Sequence, residues 1–261
     1  MAATSEKTLK LWDGKVTAHV KVAGAGPALV YLHSGYGLVW DATLDLLARD
    51  FTVYAPEHPG TSANDPDAIK PLDDVWDLVL HYYEMFDQLG LEAPAVMGHS
   101  FGGMVAAELA ANNPRRVSRL VLVNALGLWR DDAPIANYMV MPEAQLEKLL
   151  FADAHNPARK HIFMNLEDPE SIIRVTWALG CAGKFSWPIP DKGLRKRTHR
   201  IAAPTLIVWG KQDGLTKPVY ADEFKRLIPN ARIELIDQAA HMTPLEQPAA
   251  LAKAVREFLK P

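Results

Sequence analysis

The run Gly98-His99-Ser100-Phe101-Gly102 constrains this chain more than any other stretch, because its two flanks demand different backbone geometries across one residue. Ala95-Val96-Met97, led in by Pro94, is short and apolar and reads as a buried strand. Gly103 to Ala111 is a helical pattern of small residues that stops near Asn113-Pro114. A serine on so sharp a strand-to-helix turn is forced into strained backbone. Glycines on either side let the turn close without Cβ clashes. Ser100 Oγ is thereby lifted out of the sheet beside a helix N-terminus, whose N–H groups face developing negative charge. Ser100 is the candidate nucleophile.

Such a serine needs a base, and the base needs an orienting acid. Pro204 to Gly210 is a strong buried-strand pattern followed by Lys211-Gln212-Asp213-Gly214, which places Asp213 in the loop at the strand's carboxyl end. Ala231 to Ile236 alternates as a further strand and runs into Asp237-Gln238-Ala239-Ala240-His241-Met242, just before a proline-led final helix. Parallel-sheet enzymes gather their chemistry outside the carboxyl ends of strands. The order Ser100, Asp213, His241 therefore reads as nucleophile, acid and base. Asp237 and Glu246 are nearer His241 in sequence, but nearness along the chain is no evidence of a hydrogen bond in the fold.

With these residues in place the chain resembles the α/β-hydrolase fold superfamily, in its serine-hydrolase branch with a helical cap, of esterase or meta-cleavage-product hydrolase type. The resemblance runs almost end to end and is weakest between about residues 127 and 200. It rests on His33-Ser34-Gly35-Tyr36-Gly37, Glu57-His58-Pro59-Gly60, the Ser100 turn, the loop ending at Asp213, and His241 with Leu245-Glu246-Gln247-Pro248 behind it. Ser34 stands where the family usually has glycine, and Glu57 where aspartate is commoner. The resemblance implies an oxyanion hole made by the backbone N–H groups of Phe101 and Gly35, with Tyr36 the alternative to Gly35. His33 is expected to bond loop backbone beneath the site, and His99 to shape the site.

The 261 residues suit one large α/β domain. A formal net charge of -3 gives no overall attraction to nucleic acid or to an anionic membrane surface. The single cysteine, Cys181, excludes an internal disulfide framework. Met1 to Gly14 is too polar for a signal-peptide core, and no apolar run is long enough for a bilayer span, so a cytoplasmic protein is expected. A homodimer stays open. No nucleotide-binding glycine pattern is present, and His155 and His161 lack the spacing of a helical metal pair, so neither cofactor nor metal is expected.

Around Asp13-Gly14, a hairpin signal, two alternating segments at 8–12 and 15–22 predict an antiparallel opening pair. Apolar strands at 28–32, 51–55, 95–97, 120–123, 205–209 and 233–236 alternate with helical patterns at 39–48, 72–89, 101–111, 219–228 and 248–259. The fold class expected is an α/β-hydrolase fold, an eight-stranded mostly parallel sheet with helices on both faces. Residues 1–127 and 201–261 form its core, and 128–200 form a helical cap inserted after the sixth strand. Within that cap, Pro142, Pro157 and Pro169 mark helix starts at the first helical position. Lys192, Arg195, Lys196, Arg197 and Arg200 read as a solvated helix face. The cap is rich in large apolar side chains, which points to an apolar or aromatic substrate. The pocket residues expected are Tyr36, His99, Trp177, Trp187 and Met242.

The favoured activity is cleavage of a carboxylic ester through an acyl-enzyme on Ser100. Hydrolytic C–C cleavage of a meta-cleavage diketone is an alternative, weakened because His99 and Met242 stand where those hydrolases usually carry asparagine and tryptophan. Amide or lactone hydrolysis stays open, since a triad does not name the leaving group. So does a ligand receptor that keeps the triad with little turnover. An elbow serine argues against haloalkane dehalogenases and epoxide hydrolases, which use aspartate there.

Overall fold

Strands whose side chains are apolar on both faces must be covered on both faces, and that requirement organises the molecule. The computed structural model describes residues 3–63, 65–165 and 167–260; Met1, Ala2, Asn64, Leu166 and Pro261 lie outside the described residues. Eight strands, β1 (Ser5–Leu11), β2 (Val16–Ala23), β3 (Ala28–Leu32), β4 (Thr52–Pro56), β5 (Ala95–His99), β6 (Arg119–Val123), β7 (Thr205–Gly210) and β8 (Ala231–Ile236), form one sheet. Their order is β1-β2-β4-β3-β5-β6-β7-β8. Only β1–β2 and β2–β4 pair antiparallel; the remaining pairs are parallel. The opening turn is longer than a two-residue hairpin. It spans Trp12 to Lys15, with positive φ at Trp12, Asp13 and Gly14.

Side chains alternate between two cores with the period of two that a pleated strand imposes. Leu29, Tyr31, Val53, Met97, Val121 and Val208 pack with α1 (Ala42–Leu47) and α8 (Pro248–Leu259). Val30, Leu32, Val96, Leu120, Leu122 and Ile207 pack with α2 (Val75–Gln88), α3 (Phe101–Asn112) and α6 (Val219–Leu227). Because β3, β5, β6, β7 and β8 run parallel, their carboxyl ends share one edge of the sheet. The loops after them carry His33 to Gly37, Ser100, Asn124, Asp213 and His241 respectively.

Among the described residues no strand lies between β6 and β7. That segment holds α4 (Glu143–Leu150), α5 (Pro169–Ser186) and short 3-10 turns. Pro169 takes the first helical position of α5, with the Asp168 carboxylate capping the Glu170 amide at 3.1 Å. Pro142 sits one residue earlier than expected, at the N-cap of α4, and Pro157 opens a 3-10 turn. The basic run is only partly solvated: Lys196 and Arg200 are exposed, but Arg195 and Arg197 turn to buried carboxylates. Arg197 forks onto both oxygens of Glu108 (2.6 and 3.0 Å), a residue fully buried in α3, and Arg195 reaches the buried Glu223 at 2.5 Å. A carboxylate taken out of water has to be paired, so these cations fasten the end of the segment to the core. Ile162, Phe163, Val175, Ala182 and Phe185 from the inserted segment join the same apolar cluster as α2 and α3.

Candidate active site

The turn at Ser100 has the strain its sequence demands. Ser100 lies at φ 55 and ψ -115, in the left-handed half of backbone space, at an expense on the order of 1–3 kcal/mol for a residue with a Cβ. Three backbone bonds hold it there: its N–H donates to Val123 O (2.9 Å) and its carbonyl accepts the Leu126 and Met104 N–H groups (3.0 and 3.1 Å). The flanking glycines are required by space. A Cβ on Gly98 would lie 2.2 Å from Gly102 O, and one on Gly102 would lie 2.1 Å from Leu32 O.

Ser100 Oγ is 2.8 Å from His241 Nε2, and His241 Nδ1 is 2.9 Å from Asp213 Oδ2. His241 is completely buried, and Ser100 and Asp213 are nearly so. An ionised carboxylate accepts only, so Nδ1 carries the proton toward Asp213 and Nε2 is left to accept from Ser100. The three side chains are therefore arranged like a triad. Asp213 is saturated with donors. Oδ1 accepts the Leu215 and Thr216 amides (both 2.9 Å), and Oδ2 accepts the Thr216 hydroxyl and the Asn124 side-chain amide (both 2.7 Å). Asp237, the nearer aspartate in sequence, is exposed and pairs with Lys211 at 2.7 Å.

Asn124 and Thr216 were not legible as functional residues. Asn124 is fully buried just beyond β6 at φ 45, where its amide reaches Asp213 and its carbonyl oxygen accepts from Thr243 Oγ1 at 2.8 Å. The one available signal was its position, a polar residue directly after an apolar parallel strand. Thr216 carried no signal beyond lying three residues past Asp213.

The loop after β3 approaches Ser100 from the other side. Gly35 is wedged between α5 and α3: a Cβ there would meet Ala182 Cβ at 3.1 Å and Phe101 Cβ at 4.0 Å. The Tyr36 amide is occupied by Ser34 Oγ (3.3 Å), so the residue that replaces the expected glycine uses up one of the two alternative donors. Among the described residues, the Gly35 and Phe101 amides have no such acceptor. Helix α5 covers this ground with one face. Ala178 lies over Gly37, Ala182 over Gly35, and Cys181 over Gly60, while Phe185 stacks on Phe101 at 6.4 Å. Burial pushes the Cys181 thiol up to about 11.

Of the expected pocket residues, Tyr36 is buried in the loop beside Gly35. His99 and Met242 both line a small cavity of about 20 Å³ with Ser34, Gly37 and Ile162. His99 Nε2 donates to the His241 carbonyl at 2.8 Å, so it braces the backbone of the candidate base. Trp177 and Trp187 are placed differently, both about half exposed. The Trp177 indole donates to Gly60 O at 2.7 Å, and Trp187 lines a separate cavity of about 110 Å³ with Trp129, Tyr138 and Met139.

His33 Nδ1 donates to Ser34 O (2.6 Å), its Nε2 accepts the His58 amide (3.0 Å), and His58 Nε2 donates back to His33 O (2.8 Å). Tyr82 donates its hydroxyl to His58 Nδ1. Burial lowers all the histidines of this layer: His33 falls well below its usual range, His58 to about 4, and His81 and His99 each to about 3. A histidine buried neutral adds stability above its unfolded pKa near 6.5 and withdraws it as pH falls toward the folded value. The slope approaches about 1.4 kcal/mol per pH unit for each group, against a typical total of about 5–15 kcal/mol. Cooperative acid unfolding is therefore expected as pH falls below 6.5 toward 4, read by near-UV circular dichroism. His81→Phe, which removes a ring whose two nitrogens have no partner among the described residues, should move the midpoint to lower pH. A midpoint below pH 3.5 in the native chain would contradict this account.

Comparison with known proteins agrees with the geometry. The model of the alpha/beta hydrolase family matches residues 29–254. The chain is 29% identical to part of the polyketide synthase ThaQ of Burkholderia thailandensis, over 94% of this chain but only 12% of that protein's length. It is 27% identical to the pimeloyl-[acyl-carrier protein] methyl ester esterase of Nitrosomonas europaea, covering 88% of this chain and 94% of the relative. Among solved structures it superposes on 2-hydroxy-6-oxo-6-phenylhexa-2,4-dienoate hydrolase of Rhodococcus sp. strain RHA1 with a TM-score of 0.78, at 20% identity over 100% of both chains. With the family match spanning most of its length and its sheet ending in a triad-like arrangement, the chain belongs to the alpha/beta hydrolase family.

Proposed function

We propose that the protein is a serine hydrolase that cleaves a carboxylic ester of an apolar or aromatic small molecule through an acyl-enzyme on Ser100. The observation that carries this reading is the unbroken line from Ser100 Oγ through His241 to Asp213, at 2.8 and 2.9 Å. In the first half-reaction, Oγ attacks the acyl carbonyl while His241 Nε2 takes its proton. The oxyanion is held by the Gly35 and Phe101 amides. Collapse then expels the alkoxide, which leaves as the alcohol with the proton from His241. In the second half-reaction, water loses a proton to His241 and attacks the acyl-enzyme; collapse releases the acid and expels Ser100 Oγ, which takes that proton back from His241. Two aligned amides are worth about 10²–10³ each in rate.

The choice of an apolar substrate is supported by Phe101, Phe185, Ala178 and Ala182 around the loops. The relative from Nitrosomonas europaea, a methyl ester esterase, supports an ester. Residues 128–200 serve as a helical lid in this reading. Ser100 is 4% exposed, so α5 has to shift for a substrate to enter.

The test is a panel of p-nitrophenyl esters of graded acyl length beside a meta-cleavage diketone, with fluorophosphonate labelling and peptide mapping. Ester turnover should rise about three- to fourfold in kcat/KM per added methylene until the site is full, from about 0.8 kcal/mol per buried CH₂. The label should map to Ser100. Faster cleavage of the diketone, single-turnover behaviour on every ester, or a label on another serine would each overturn the assignment.

A further inference from the structure

Three hydrogen bonds join the inserted segment to the two loops that carry the acid and the base, and a fourth closes the histidine loop on itself. Leu149 O accepts the Gly214 N–H (3.1 Å), next to Asp213, and Leu150 O accepts the Met242 N–H (3.0 Å), next to His241. The other two end on one side chain. Glu246 Oε1 accepts the Ala152 N–H and its Oε2 accepts the Ala240 N–H, both at 2.7 Å. Ala152 lies just past α4, and Ala240 immediately precedes His241. Glu246 closes the short helix α7 (Thr243–Glu246), whose own amides bond back to Met242 and Thr243. The histidine turn is thus gripped from both sides, with Ala240 held by Glu246 and Met242 held by α4.

We propose that Glu246 is a positioning residue for His241, tying the histidine turn to the end of α4 so that docking of the inserted helices and alignment of the base are one event. This rests on the reading of Ser100 and His241 as nucleophile and base. The amide of Ala152, an exposed residue, could have been satisfied by water, and the Ala240 amide by any nearby oxygen. One carboxylate instead spans both, with the strength of charge-assisted bonds. Its charge also matters. Burial pushes the Glu246 carboxyl up, the Ala240 and Ala152 amides pull it back, and the charge of Asp213 pushes it up further. Glu246 bonds the amide of the residue before His241, so its charge sits beside the turn on which the imidazolium forms. A fixed negative charge there favours the protonated histidine that appears in each transition state.

The experiment compares the native chain with Glu246→Gln, Glu246→Asp and Glu246→Ala by two readouts. Amide hydrogen exchange needs no substrate. Glu246→Ala should speed exchange at Ala240, Met242 and Ala152 at least tenfold while the β5 and β6 amides keep their protection. The second readout is the rate of fluorophosphonate labelling at Ser100 as a function of pH. Glu246→Ala should slow it about tenfold. Glu246→Gln should move its acid limb to lower pH by about half a unit, since a negative charge has gone, while Glu246→Asp leaves that limb in place. A merely structural glutamate would lower thermal stability in all three variants and leave the acid limb unmoved; that result overturns the proposal, as does unchanged exchange at Met242. Failure of the native chain to be labelled at Ser100 would instead sink the serine-hydrolase reading, and the exchange result would still decide whether Glu246 holds the turn.

Discussion

Ser100→Ala is expected to abolish ester hydrolysis, with a loss on the order of 10⁶ in kcat. The hydroxyl bonds to His241 Nε2 at 2.8 Å, and its removal deletes the attacking atom while leaving a gap of only one oxygen. The backbone strain at φ 55 is the same for alanine, which keeps the Cβ. The Val123 and Leu126 bonds that hold the turn are backbone bonds and survive. The thermal midpoint should therefore shift by no more than a few degrees while turnover disappears. Activity that remains should come from the oxyanion donors and binding alone. A purified variant that kept a tenth of native turnover would remove Ser100 from the role of nucleophile.

Asp213→Asn is expected to lower kcat by about 10⁴, because the amide favours the wrong imidazole tautomer. The environment of Asp213 makes the outcome more severe than a tautomer change. Its two oxygens accept five donors: the Leu215 and Thr216 amides on one side, and Asn124, the Thr216 hydroxyl and His241 on the other. An asparagine must turn its NH₂ toward one of those sets, leaving buried donors facing a donor. Each unsatisfied group costs about 1–3 kcal/mol, so the denaturation midpoint should fall together with kcat. Asp237→Asn is the control. That carboxylate is exposed and pairs with Lys211, and its loss should leave both quantities within twofold or about 0.5 kcal/mol. A crippled Asp237→Asn beside a mild Asp213→Asn would reassign the acid.

The element order, the eight strands and the three triad-like residues were all legible before the fold was known. Continuous apolar runs such as Leu29 to Leu32 specify strands buried on both faces, and a glycine-flanked serine between strand and helix has few other conformations open to it. Asp213 and His241 were placed by the same rule, each in the loop beyond the carboxyl end of a strand. Local patterning sufficed because strand, turn and helix are decided by residues within a few positions of one another.

What only the tertiary structure decided are the partners. Asn124 reaches Asp213 across 89 positions, Thr243 reaches Asn124 across 119, and His241 reaches Ser100 across 141. No periodicity encodes such meetings. They follow from the parallel sheet, which stacks the carboxyl ends of β5, β6, β7 and β8 side by side whatever the length of chain between them. The basic run after α5 carried the opposite lesson, since its charge predicted solvent and buried Glu108 and Glu223 claimed Arg197 and Arg195 instead. Trp177 and Trp187 looked alike as large apolar side chains of the inserted segment, yet one lies over Gly60 and the other lines a separate cavity. The sequence by itself determined which residues end the strands. The fold determined which of them meet, because a buried donor or acceptor must find its partner in space and not along the chain.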